Sequence, residues 1–255
     1  GEPPAVIDGD DMGLYDYAFL NDKLAQQKVI NSLAIETINP DDYRAVYFVG
    51  GKGAMFDFPD NKTIQSLVRD YYEQGKVIGA VCHGPAALVN VTLSNGKPLL
   101  EGKSVTGFTN REELLLISNA REIFPFLLED KLTHRGGVFN EGDLYLNNIS
   151  QDHHLLTGQN PWSVWTLAEE MVSQLGYKPV PREVTAEENT VSVLQVYESQ
   201  GYSAAKSAAR EHLSETKTAL TRNLIVMHSL VAVMQGRIGK AIDMISLARL
   251  VKSLQ

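Results

Sequence analysis

Gly79-Ala80-Val81-Cys82-His83-Gly84-Pro85-Ala86-Ala87-Leu88 places the only cysteine of the 255-residue chain between an apolar run and an alanine-rich segment, with small residues two positions before and after it. This frame predicts a nucleophile elbow. A buried strand ends at Val81, a strained turn holds the sulfur clear of the sheet, and a following helix contributes a field that favours the thiolate. The bland alternative is an inert buried cysteine, and the small-x-Cys-x-Gly frame favours chemistry over it. An ordinary thiol, with a pKa of roughly 8.5, is only a few per cent ionised at neutral pH, so a nucleophile requires a base or a stabilising field. His83 is the nearest base, although a neighbour on a turn points away from the thiol as readily as toward it. Gly50-Gly51-Lys52-Gly53 ends another apolar run, and the backbone N–H groups of Gly51 and His83 are candidates for an oxyanion hole.

Other chemistry-bearing residues read as structural. His153 and His154 are adjacent, which on a strand sends them to opposite faces, so no joint metal site is expected. Asp10-Asp11 and Asp41-Asp42 read as turn and cap residues.

The elements that must position the cysteine follow from hydrophobic period and punctuation. Residues 1 to about 20 are rich in Asp, Gly and Pro and read as a loop. Ala45 to Val49 reads as a buried strand. Asn61 caps a helix carrying Ile64, Leu67, Val68 and Tyr71 on one face and stopping at Gly75, and Val77 to Val81 is a second buried strand. Strand, helix and strand in this order predict a parallel unit. A strand at Ser104 to Phe108, a helix at Phe126 to His134, and a strand pair at Gly137 to Asn140 and Leu144 to Asn147 continue the α/β pattern. A helix after Pro161-Trp162-Ser163 presents Val164, Leu167, Ala168, Met171 and Leu175 and closes at Gly176.

Lys178-Pro179-Val180-Pro181 is a stiff connector, beyond which strand signals cease. The division is therefore an α/β domain over 1–180 and a helical extension over 181–255, with helices at Ala186 to Gln200, Ser203 to Leu213, Thr216 to Met234 and Lys240 to Leu254. Gln200-Gly201-Tyr202 and Gln235-Gly236-Arg237 resemble successive helix-turn-helix repeats, but two copies fall below the three such arrays need. An antiparallel helical appendage, packed on the main domain or on a second subunit, is the preferred reading.

Composition narrows the classes. Hydrophobic residues make up 44% and charged residues 21%, which supports a packed core and excludes disorder and collagen-like repeats. The net charge of −8 argues against nucleic acid as a partner. No apolar stretch reaches the roughly 20 residues of a membrane span. A lone cysteine and the lack of a secretory signal in the first residues point to a reducing, cytoplasmic location.

Three segments together carry a family resemblance: Gly50-Gly51-Lys52-Gly53-Ala54-Met55-Phe56-Asp57, then Ala80-Val81-Cys82-His83-Gly84-Pro85-Ala86-Ala87-Leu88, then Gly102-Lys103-Ser104-Val105-Thr106-Gly107-Phe108-Thr109. With Leu156-Thr157-Gly158-Gln159-Asn160-Pro161, which is similar to the family's closing strand and helix start, they resemble the ThiJ/PfpI superfamily, which is class I glutamine amidotransferase-like, over roughly residues 1 to 177. The nearest branch contains glutathione-independent glyoxalases and heat-shock-31-type chaperones. The resemblance implies a flavodoxin-like α/β sandwich in which the cysteine attacks a carbonyl, the adjacent histidine moves protons and an acid orients that histidine. Cys82 and His83 match directly. The acid falls on Glu113, with Glu112 as the alternative.

Two departures accompany the match. The family usually has histidine where this chain has Lys52. It also begins with a strand, helix and strand, bearing a glutamate that contacts the cysteine, ahead of the segment resembling Gly1-Glu2-Pro3-Pro4. The chain is therefore expected to be a fragment or processed form, or to have its sheet completed by another chain.

The resulting expectation is cofactor-independent conversion of a small carbonyl substrate, a 2-oxoaldehyde such as methylglyoxal, to a 2-hydroxy acid. Amide or peptide hydrolysis by the same thiol is the alternative within the enzyme class. A stress-related holding chaperone or thiol redox sensor is the alternative outside it. Homo-oligomerisation is expected, with the extension available as a contact. No matched motif lies beyond Pro161, so the extension is expected to be dispensable for the chemistry.

Overall fold

A computed structural model describes residues 12–255 of the chain, which divide into two compact units, the second running from Arg44 to Gln255. In the first unit, helix α1 (Leu14–Asn21) runs where a loop was expected, followed by α2 (Lys23–Ile30). Aspartates cap the start of both helices. Asp16 accepts from the Gly13 N–H at 2.8 Å, and Asp22 accepts from Leu24 and Ala25 at 2.9 and 3.1 Å. Asp41 and Asp42 lie in a 3-10 turn capped by Asn39, while Asp10-Asp11 falls outside the described residues.

In the second unit, β1 (Ala45–Phe48) leads through a glycine loop and α3 (Ala54–Asp57) to α4 (Lys62–Glu73) and β2 (Val77–Val81). Asn61 caps α4 by accepting from the Ile64 N–H at 3.0 Å, and Ile64, Leu67, Val68 and Tyr71 are buried as the helical period requires. Every residue of β2 is buried. The next elements are β3 (Ser104–Val105), α5 (Asn110–Leu116), α6 (Ala120–Ile123), α7 (Leu128–His134), β4 (Val138–Phe139), β5 (Ile149–Asp152), β6 (Leu155–Gly158) and α8 (Val164–Gln174). The main sheet has the order β1-β2-β6-β5, parallel except for the β5–β6 pair, while β3 and β4 form a separate parallel pair. This mostly parallel sheet with its helices is the expected flavodoxin-like arrangement.

Four segments depart from expectation. The elbow leads into a five-residue 3-10 turn, Gly84–Leu88, with Pro85 in its first turn, so a long helix field is not what acts on the thiol. The strand expected to reach Phe108 ends at Val105, because Thr106 donates to the Thr157 side chain and Phe108 donates to the Cys82 carbonyl, which turns the chain beneath the elbow. Leu144 to Asn147 is a loop rather than a strand: Tyr145 adopts φ +53 and its N–H goes to Glu112 instead of a ladder. The hairpin partner of β6 is β5. On α8, Leu167 and Met171 are buried, whereas Val164 and Ala168 face outward.

The chain then becomes all helix: α9 (Ala186–Gln200), α10 (Tyr202–Arg210) running into a π-helical turn, α11 (Arg222–Met234) and α12 (Ile238–Leu254). Thr185 and Glu188 form a capping box at the start of α9, and the breaks at Gly201 and Gly236 carry φ +84 and +71. Helix α11 starts six residues later than the period predicted, at Arg222 rather than Thr216. The extension's core, which includes Val193, Leu194, Ile225, Met244 and Leu247, also takes in Leu146 and packs against Trp162 from the α/β part. No helix of the described residues is long and apolar enough to cross a membrane.

Candidate active site

The cysteine sits at the last turn off β2. Its N–H donates to the Gly158 carbonyl at 2.9 Å, continuing the β2–β6 pairing, and its backbone then adopts φ +59. Positive φ is rare for a residue with a Cβ and stores strain that the surroundings must hold. Two glycines make the turn possible. A Cβ on Gly84 would lie 2.2 Å from the Phe48 carbonyl oxygen, and one on Gly50 would lie 2.6 Å from the Cys82 Cβ. The glycine loop after β1 comes against the elbow through Gly50, whereas the neighbouring Gly51, at φ +117, has open space where a Cβ would point. Cys82 itself is partly exposed.

His83 turns its ring toward both neighbours the chemistry requires. Nδ1 lies 3.4 Å from Cys82 Sγ, and Nε2 lies 2.5 Å from Glu113 Oε2. The imidazole is 2% exposed and lies between the rings of Phe108 and Phe124, with centroids 4.7 and 6.1 Å away. Burial opposes its charge, but the hydrogen bonds and charges of Cys82 and Glu113 outweigh that and raise its pKa to about 9. At neutral pH the ring therefore carries a proton it can give away. Glu113 is buried too, and its other oxygen, Oε1, has no hydrogen-bond partner among the described residues.

Glu112 points elsewhere. Its Oε2 closes a capping box with Thr109 at 3.1 Å, and its Oε1 accepts from the Tyr145 N–H, Gln159 and Asn160 at 2.7, 3.0 and 2.9 Å. Of the two glutamates, only Glu113 meets the histidine. Tyr145, Gln159, Asn160 and the two phenylalanines were not singled out from the sequence. The signal available there was Thr109-x-x-Glu112, a capping-box spacing, and the polar Gln159-Asn160 pair between a buried strand and a proline.

Tyr47 on β1 lies close enough for the charge of Cys82 to add to burial in raising its pKa. Lys52 is exposed. His154 bonds the Tyr72 carbonyl at 3.0 Å while the His153 side chain is largely in solvent. Among the described residues, no group of three or more His, Cys, Asp or Glu side chains is placed to hold a metal ion.

This arrangement, a thiol at a strained elbow with a protonated imidazole and a carboxylate in line, suits addition of sulfur to a carbonyl followed by proton movement. Residues 23–174 match the DJ-1/PfpI family. A Candida albicans protein named glyoxalase 3 is 29% identical over 174 residues, spanning 67% of this chain and 72% of that protein. A glutathione-independent glyoxalase of Saccharomyces cerevisiae is 35% identical over 144 residues, spanning 54% of this chain and 60% of the relative. The crystal structure of a glyoxalase III from Candida albicans aligns with a TM-score of 0.58 at 27% identity, over 64% of this chain and 72% of that one. The family match stops at residue 174, ahead of the four helices of the extension.

Proposed function

The chain belongs to the DJ-1/PfpI family, and on that premise we propose that it is a glutathione-independent glyoxalase-type enzyme that converts a 2-oxoaldehyde such as methylglyoxal, with water, to the 2-hydroxy acid. The observation that carries this reading is the continuous Cys82–His83–Glu113 contact line. Cys82 sulfur adds to the aldehyde carbon, forming a C–S bond, and the new alkoxide takes the proton held by His83. The imidazole, now neutral, accepts the proton from that carbon, and the electron pair moves to form an enediol across the two substrate carbons. Reprotonation at the former ketone carbon leaves a 2-hydroxy thioester. Water cleaves the C–S bond, giving the acid and the free thiol. One substrate carbon is oxidised and its neighbour reduced, so the sum is redox-neutral and needs no external electron carrier.

Glu113 holds the ring by its Nε2 side and favours the imidazolium, leaving Nδ1 to serve the sulfur and the substrate. Gly51 and His83 N–H groups are assigned to the developing oxyanions. The single thiol suits a reducing cytoplasm. Incubation with methylglyoxal, following substrate loss and lactate, tests the reading: stoichiometric lactate is expected, and no lactate at micromolar protein overturns it.

A second reading, a holding chaperone, is favoured by one observation. Met227, Leu230, Val233 and Met234 on α11 and Ile238 and Ile242 on α12 are all more than half exposed, a larger apolar face than a solvated helix pair needs. The expected self-association would use the same face. Suppression of aggregation of a heat-denatured client, lost in Leu230→Glu and kept in Cys82→Ala, would support it.

A further inference from the structure

Glu112 is fully buried, touches neither the thiol nor the imidazole, and yet gathers more of the surrounding chain than any catalytic candidate does. Five donors converge on its carboxylate: the Thr109 N–H and hydroxyl, the Tyr145 N–H, the Gln159 amide and the Asn160 amide. Its own carbonyl accepts from the Tyr145 hydroxyl at 2.7 Å. One residue therefore joins the first turn of α5, the loop after β4 and the segment leaving β6. The next residue in the chain is Glu113, whose carboxylate meets His83.

That loop is held from its other side by the helical extension. Leu146 is buried in the extension's core, Gln195 of α9 donates to the Asn147 carbonyl at 2.9 Å, and His228 of α11 bonds the Tyr145 backbone. Tyr145 is itself strained at φ +53, a conformation the flanking contacts must maintain.

We propose that Glu112 and Tyr145 are positioning residues for the Glu113–His83 pair, and that through them the helical extension acts as part of the active-site scaffold rather than as a dispensable appendage. The proposal rests on the reading of Cys82, His83 and Glu113 as the site. Glu112→Gln puts an NH2 group among donors that an oxygen had satisfied, so the cradle must open. The first turn of α5 then loses its anchor, and Glu113 is released from a contact that a displacement of about 1 Å is enough to break.

The test reads His83 directly, so its outcome stands whether or not oxoaldehyde is turned over. Imidazole NMR titration of the full chain is expected to give a midpoint of about 9 in the unaltered protein. In Glu112→Gln we expect the midpoint to fall by about one unit or more, and in Tyr145→Phe, which deletes one hydroxyl, by a smaller measurable amount. A merely structural role would lower the urea midpoint and leave the His83 titration unchanged; that result in a folded Glu112→Gln overturns the proposal. Should Glu112→Gln not fold, Tyr145→Phe decides, and an unaltered His83 midpoint there overturns it equally.

Discussion

The α/β part and the helical extension each bury one histidine to 2% exposure, and the two are driven in opposite directions. His228 on α11 shows what burial does without acidic hydrogen-bond partners: desolvation, with Lys240 nearby, lowers it to about 4 against the weaker pull of Glu198 and the Tyr145 backbone, and its Nε2 has no hydrogen-bond partner among the described residues. His83 suffers the same penalty but has a thiol on one nitrogen and a carboxylate on the other, which carry it to about 9. The same side chain is thus a neutral packing element in one region and a proton store in the other. What separates them is the pair of acidic partners rather than depth.

The largest effect expected is on the catalytic side of that comparison. Cys82→Ala should lower lactate formation from methylglyoxal by about 10³-fold or more while leaving the far-UV spectrum intact; turnover within tenfold of the original would remove sulfur from the mechanism. Next comes Glu113→Gln, expected to cost about 10²-fold in kcat. Because His83 is raised to about 9, activity that needs its proton should hold through neutral pH and decline above about 9, and in Glu113→Gln that alkaline limb should move to lower pH. An unmoved limb would separate Glu113 from the histidine's function.

Stability gives a third, smaller effect of opposite sign in the two regions. His228 is depressed from 6.5 to about 4, so the unfolded chain binds a proton that the folded chain refuses. Its contribution is full above about pH 6.5 and is lost as pH falls toward 4, by about 3 kcal/mol at most. His83, raised from 6.5 to about 9, contributes fully below about pH 6.5 and loses its contribution as pH rises through 9. Urea titrations of His228→Gln, which keeps a donor for Tyr145 but cannot titrate, should show a flatter acid side; an acid side as steep as before would assign the loss to other groups. The smallest effect is expected at Lys52, which is exposed: Lys52→His should change KM within about threefold and leave the His83 midpoint in place.

Local signals made the elbow readable. Val77 to Val81 is a continuous apolar run, Asn61 and Gly75 bracket a clean helical period, and Gly84 follows Cys82 because the Phe48 carbonyl occupies the space a side chain would fill. What the sequence leaves open turns on contacts between distant residues. Nothing local distinguishes Glu112 from Glu113; the distinction is made by Tyr145, Gln159 and Asn160 on one side and His83 on the other. Leu144 to Asn147 read as a strand because its apolar residues alternate, but Leu146 is buried against α-helices rather than in a sheet face. Residues 14–20 read as loop beside an Asp- and Gly-rich start, yet they form a helix capped by Asp16, because caps and turns share a composition. Motifs that stop at Pro161 make the extension look dispensable, while the contacts of Gln195 and His228 with the loop that contains Tyr145 are of a kind no motif position encodes.

In the proposed reaction Cys82 forms a covalent bond to the oxoaldehyde while His83 and Glu113 move the protons. Rapid acid quench of the chain with methylglyoxal, followed by mass spectrometry of the peptide containing residues 77–88, tests it most directly. A mass gain of one methylglyoxal on Cys82 is expected to build up and decay as lactate appears, and to last longer in Glu113→Gln. Lactate accumulating while Cys82 stays unmodified, or an adduct that never decays, would contradict it.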